Sequence, residues 1–124
     1  MKSIKSILLI TIIGYVLFAC DKAHLKKLAG NYRCTVHSSS WMMGTLSHDT
    51  TYIDTIEVTR NGLYLQVEGS FFHIDSVWKG KKYHQGNMYN QSEIQFVNDS
   101  LYFSRYGGGL GGGSGTTYVG RKID

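Results

Sequence analysis

The groups in this chain whose types could do chemistry are a thiol at Cys34, imidazoles at His37, His48, His73 and His84, carboxylates at Asp54, Glu57, Asp75 and Asp99, and a glycine tract from Gly107 to Gly115. A cysteine with a histidine beside it can act as nucleophile and base. Cys34, however, lies between Tyr32 and Val36 on an alternating stretch, where burial leaves a thiol inert. Zinc ligands are usually spaced a few residues apart, and no two of these histidines are. They read as dispersed surface residues. The carboxylates fall on strand faces or turns without forming an acid/base pair. The expectation is a protein that is not an enzyme and carries no metal or cofactor.

The glycine tract contains the spelling G-x-G-x-x-G at Gly107, Gly109 and Gly112. A dinucleotide fingerprint needs a strand before it and a helix after it, and a phosphate loop needs a Gly-Lys-Ser/Thr ending. Here a strand-like stretch follows, so the tract reads as a hairpin connection. Its missing side chains could also let a partner approach the backbone closely. On that reading the candidate binding residues are Trp41, Gly108, Gly109, Gly111 and Gly112. The Trp41-Met42-Met43 and Phe71-Phe72 groups read first as core and second as the mouth of a ligand-binding barrel.

The elements that would position these groups are strands, because apolar and polar residues alternate with period two. Gly30–His37 puts Tyr32, Cys34 and Val36 on one face, and β-branched residues dominate Thr50–Thr59. Asn61-Gly62 marks a type I′ turn, with Leu63, Leu65 and Val67 joining Ile56 and Val58 inside. Phe71–Trp78 reads as a fourth strand and Lys82-Tyr83-His84 as a short one. Glu93–Val97 and Ser100–Ser104 bracket Asn98-Asp99 as a second hairpin, and Thr116–Lys122 ends the chain as a strand. No helix is expected after residue 19. The fold class is therefore all-β: a small antiparallel meander forming a barrel or a sandwich, within a single domain over residues 29–124. The 15 glycines, absence of proline and 13% aromatic content suit strands joined by glycine turns.

Ahead of this domain, Lys2 and Lys5 precede an apolar run from Ser6 to Ala19. The run fits the h-region of a signal peptide and is short for a membrane span of roughly 20 residues. It stops at Leu17-Phe18-Ala19-Cys20, which resembles the lipobox of bacterial lipoproteins. The resemblance implies cleavage after Ala19, a diacylglycerol group on the Cys20 sulfur and acylation of the new amino terminus. Residues 1–19 would then be a removable helical signal and residues 20–28 a lipidated tether. Two or more acyl chains anchor a protein stably. The implied address is the bacterial cell envelope, most naturally the outer membrane, with the periplasmic or surface face left open. Cys34 would be alone in the mature protein, which excludes an internal disulfide.

Gly30-x-Tyr32-x-Cys34, Asn98-Asp99-Ser100-Leu101 and Tyr118-x-Gly120-x-Lys122 together resemble a group of short Bacteroidota lipoproteins without an assigned activity. The glycine and aromatic of the first strand are similar to the opening of lipocalin-like domains. Tyr32-x-Cys34 is shared with membrane-bound inhibitors of c-type lysozyme, whose Ser-Ala-Ser-Gly segment and second cysteine this chain lacks.

The whole chain has 13 Lys+Arg against 9 Asp+Glu. Removing Lys2 and Lys5 leaves it nearly neutral, without the basic stripe of a nucleic-acid binder. The expected partners are the membrane, through Cys20, and an envelope protein or glycan. The expected role is a binding or interaction module, with a calycin-like carrier of a small apolar ligand as the alternative. Replacing Cys20→Ser should abolish labelling by a fatty-acid analogue and leave an unprocessed precursor. Labelling that survives the substitution would contradict the lipobox reading.

Overall fold

The computed structural model describes residues 28–45, 47–77 and 80–124. The expected signal segment, Cys20, most of the tether and Trp78 lie outside the described residues. Eight strands form one antiparallel sheet: β1 (Gly30–Met42), β2 (His48–Asn61), β3 (Tyr64–Val67), β4 (Ser70–His73), β5 (Tyr83–Gly86), β6 (Asn90–Val97), β7 (Ser100–Gly109) and β8 (Gly112–Lys122). Their order in the sheet is β4-β3-β2-β1-β8-β7-β6-β5. Consecutive strands are neighbours throughout, except that β8 returns to pair with β1 and a seam separates β4 from β5. The chain is thus an all-β meander curled into a half-barrel, not a sandwich of two sheets. Across the seam, the Gln85 Nε2 amide donates to the Phe71 carbonyl at 2.9 Å.

Three local expectations are corrected. The first turn closes on the Asn61↔Tyr64 pair, so its two residues are Gly62 and Leu63, not Asn61 and Gly62. Gly62, at φ 62°, supplies the left-handed first position that a type II′ turn requires. This one-residue shift leaves Leu63 exposed at the turn, while Leu65 and Val67 are buried as expected.

The expected fourth strand ends at His73 and is followed by a single helical turn, α1 (Ile74–Val77). Extended backbone would send Ile74 and Val77 to opposite faces, whereas a helical turn buries both. The Ile74 N–H then donates to the Leu63 carbonyl at 2.9 Å, tying α1 to the first turn.

Finally, the glycine tract is strand rather than loop. Gly107, Gly108 and Gly109 pair with Ser114, Gly113 and Gly112, and only Leu110 and Gly111 form the turn.

The two ends of the half-barrel differ. At the closed end lie Leu28, the Gly62-Leu63 and Asn98-Asp99 turns, α1 and the C-terminus. The Asn31 backbone N–H and side-chain amide both donate to Asp124, which holds that carboxyl below its usual range. Inward residues of the closed half make the core: Tyr32, Cys34, Val36, Ile56, Val58, Leu65, Val67, Phe72, Ile94, Phe96, Leu101, Phe103 and Tyr118, all buried. The Tyr32 hydroxyl keeps a partner by donating to the Leu28 carbonyl at 2.8 Å. Phe72 stands edge-on to Phe103, which stacks on Tyr118.

Burial pushes the Cys34 thiol from 9.0 up to about 11 and the Tyr32 phenol from 10.0 up to about 12, because a charged form inside the core would lose its hydration. In both cases the folded protein favours the neutral form. The stabilisation is therefore complete below pH 9 and is lost as pH rises through 11 to 12. Thermal melts should show a midpoint falling over that alkaline window. Cys34→Ala should remove the portion that begins near pH 9, where the unfolded thiol titrates. An alkaline profile identical to wild type would contradict this assignment.

Candidate functional site

Sheet register converts the alternation of single strands into rows across the concave face. One row runs Tyr52, Val36, Tyr118, Phe103, Ile94, Tyr83 from β2 to β5 and is mostly apolar. The next row toward the open end keeps the same inward parity and reads Thr50, Ser38, Thr116, Arg105, Ser92, Gln85. The row after that is His48, Ser40, Ser114, Gly107 and Asn90. Each of the six strands at this level turns a hydroxyl, amide or guanidinium group inward, where the row below is mostly apolar. The interior is therefore divided, with a core below and a polar basin above.

The basin is an open cleft of about 750 Å³, whose walls include Ser70, Gln85, Asn90, Ser92, Arg105 and Thr116. Arg105 reaches from β7 across the concavity and donates through Nη1 to the Glu68 carbonyl at 2.8 Å, bracing the β3–β4 turn. Glu68 holds a left-handed φ of 47° at that turn. Tyr118 lies in the boundary row. Burial and the Glu68 carboxylate push its phenol upward, and the Arg105 guanidinium pulls it back. Because β3 and β4 are short, no described strand pairs with β2 between His48 and Glu57 on the side away from β1. The Asp54 carboxylate covers part of this edge by accepting the Thr55 N–H at 2.8 Å, one way to discourage unwanted strand addition.

A second depression of about 470 Å³ adjoins the cleft, and both include Gly107 and Ser114 in their walls. Its apolar side is formed by Trp41 and Met42. These residues were expected in the core, yet Trp41, Met42 and Met43 are 43%, 63% and 74% exposed. β1 runs on to Met42 and carries them beyond the level at which the core ends. Phe71-Phe72 divides by parity: Phe72 is buried, and Phe71 is exposed on the outer face.

The candidate glycines have unequal roles. A methyl group at Gly108 would come within 2.8 Å of the Gly113 Cα and the Tyr106 hydroxyl. At Gly112 it would lie 2.8 Å from the Trp41 carbonyl, and at Gly113 it would lie 2.6 Å from the Tyr106 Oη and 3.1 Å from the Trp41 Nε1. Tyr106 and Trp41 thus occupy space on the outer face that side chains would fill, as aromatics do over strand glycines. At Gly109 and Gly111 the same position is open. Gly108 and Gly112 therefore belong to one packed hairpin against which Trp41 of β1 lies, while Gly109 and Gly111 lie at its tip.

The inward polar row was absent from the sequence expectations. The signal for it was the persistence of alternation: Ser38 and Ser40 follow Val36 in phase, Ser92 and Asn90 precede Ile94, and Arg105 follows Phe103. Among the described residues no three of His, Cys, Asp and Glu gather as a metal-ligand group. His37 contacts Asp49 at 3.1 Å and Thr51 at 3.0 Å, His73 contacts Asp75 at 3.6 Å, and His84 contacts Glu93 at 3.3 Å. Cys34 is buried.

No family model matches the chain, and neither a curated protein nor a solved structure is significantly similar to it.

The glycine geometry makes a differential prediction. Gly108→Ala and Gly112→Ala should each lower stability by about 1–3 kcal/mol, the usual cost of overpacking. Gly109→Ala and Gly111→Ala should stay within about 0.5 kcal/mol of wild type, as surface substitutions do. Equal denaturation midpoints for all four variants would overturn the packed-hairpin account.

Proposed function

We propose that this chain is a lipid-anchored binding module of the bacterial cell envelope, tethered through Cys20 and engaging its partner through the polar cleft of the half-barrel. The observation that carries the binding reading is the change of inward residues from apolar to hydrogen-bonding across six strands at one level. A sheet that needed only stability would gain more by continuing its apolar rows, since each large buried apolar side chain contributes roughly 1.5–3 kcal/mol. The anchoring reading is supported by the Leu17-Phe18-Ala19-Cys20 sequence and the preceding apolar run. A lipidated tether would hold the domain at a membrane and leave the cleft, which opens at the end away from Leu28, directed outward.

The polar cleft favours this module over a carrier of apolar ligands. In the closed half the inward positions are occupied by aromatic and aliphatic side chains of the core. In the open half an apolar guest would leave hydroxyl and amide groups without partners, at about 1–3 kcal/mol for each group it buries unsatisfied. Two measurements on the protein purified from its own membranes test the proposal. Wild-type protein should sediment with membranes and release its ester-linked acyl chains only after alkaline hydrolysis of those esters. Solvent extraction without cleavage should yield no stoichiometric apolar molecule, and recovery of one would favour the carrier. A Ser92→Trp variant, which fills the cleft, should still sediment with membranes.

A further inference from the structure

The chemistry of the cleft and its continuation toward Trp41 identify a class of occupant. Ser70, Asn90, Ser92, Ser114 and Thr116 present groups that both donate and accept hydrogen bonds, and Gln85 already spends one donor on the Phe71 carbonyl. A wall of this kind suits a ligand that is itself dense in hydroxyl groups. Among the described residues Arg105 is the one charged side chain in that wall. Its Nη1 is held by Glu68, and its remaining donors leave a fork suited to a single carboxylate. One guanidinium cannot compensate a run of phosphates, which disfavours a nucleic acid or polyphosphate. The cleft is walled by strand faces and therefore offers side chains, whereas extended peptides are held mainly through the backbone of a free strand edge.

The ligand need not end inside the cleft. Gly107 and Ser114 border both the cleft and the Trp41 depression, and Gly112 and Gly113 continue the wall of the latter without side chains. The glycine hairpin is a low saddle between a hydrogen-bonding basin and a half-exposed indole. A sugar ring presents hydroxyls at its rim and C–H groups on its faces, so successive residues of one glycan can satisfy the basin and then stack on Trp41.

We propose that the cleft binds an acidic oligosaccharide, with a uronic-acid carboxylate at Arg105 and the chain crossing the glycine saddle onto Trp41. This rests on the cleft being the binding site and is independent of the Cys20 anchor.

The test uses the full lipidated chain in detergent micelles and titration calorimetry with three uronic-acid tetramers: galacturonate, mannuronate, and alternating glucuronate and N-acetylglucosamine. Their methyl esters serve as uncharged counterparts and tetraglutamate as an acidic peptide. At least one tetramer should bind with Kd below about 1 mM, and its methyl ester at least about tenfold more weakly. Arg105→Gln should reduce the acid to the affinity of its ester, whereas Trp41→Ala should weaken both forms to a similar extent. If Arg105→Gln loses its circular dichroism signal, the Ser92→Val/Thr116→Val double variant replaces it and should weaken acid and ester alike.

Absence of binding by all three tetramers overturns the proposal, as does equal affinity for acid and ester or equal affinity for tetraglutamate. If tetraglutamate binds and Ser92→Trp abolishes that binding, the cleft stands and the glycan assignment falls. If Ser92→Trp leaves uronate binding unchanged, the cleft reading itself falls.

Discussion

Everything in this molecule depends on antiparallel register. In a pleated strand the side-chain period is two, and a slip of one residue would turn every inward group outward. Here seven strand pairs keep one parity around the sheet, so Val36, Tyr118, Phe103 and Ile94 meet on the concave side. The same constraint aligns Ser38, Thr116, Arg105 and Ser92 one level higher. Core and cleft are consecutive rows of a single ladder, and neither could shift register without disturbing the other.

Glycines and the seam then determine the shape. Gly120 lies opposite both Cys34 and Leu101, and a methyl group there would meet the Cys34 sulfur at 2.6 Å, so the sheet closes tightly over the thiol. At the other end, Gly108 and Gly113 let Tyr106 and Trp41 lie against the backbone, and Gly112 lets β8 lie close to the Trp41 carbonyl of β1. The sheet does not complete its circuit, because β3 and β4 are only four residues long and the chain then turns into α1. The Gln85 and Arg105 hydrogen bonds span what strand pairing leaves open. Shortening two strands exposes the basin on one side while leaving the closed half enclosed.

The cleft in this arrangement comes from restraint in hydrophobic content. Carrying the apolar rows to the tip would strengthen the core and abolish the cleft. The chain instead ends its inward apolar residues at one level and places exposed large side chains at the tips: Met42 and Met43, Met88 and Tyr89, and Leu110. The chain segments that carry them, residues 41–47, 86–91 and 106–115, contain no Asp, Glu, Lys or Arg. The tips at the open end are thus uncharged, with Asp49 set one residue back on β2, and they differ from the charged closed end, where Arg60, Asp99, Lys122 and Asp124 lie.

The sequence by itself determined the strand character of the chain, the inward parity of Tyr32, Cys34 and Val36, the second hairpin at Asn98-Asp99 and the burial of Cys34. These follow from local rules: period-two alternation, turn residues tolerant of positive φ, and the cost of exposing apolar groups. Asn98, with φ of 53°, occupies the turn that its side chain suits.

Only the tertiary structure decided that Phe71–Trp78 breaks at His73, that the first turn is centred one residue later, and that Trp41 lies outside the core. It also decided that the glycine tract is paired strand and that Ser38, Thr116, Arg105 and Ser92 share a row. The physical reason is common to all of these. Alternation states which residues of a strand share a face, but how far a strand extends, and which residues it meets, depends on partners distant in sequence. β1 continues through Ser38-Ser39-Ser40 because β2 pairs with it on one side and β8 on the other.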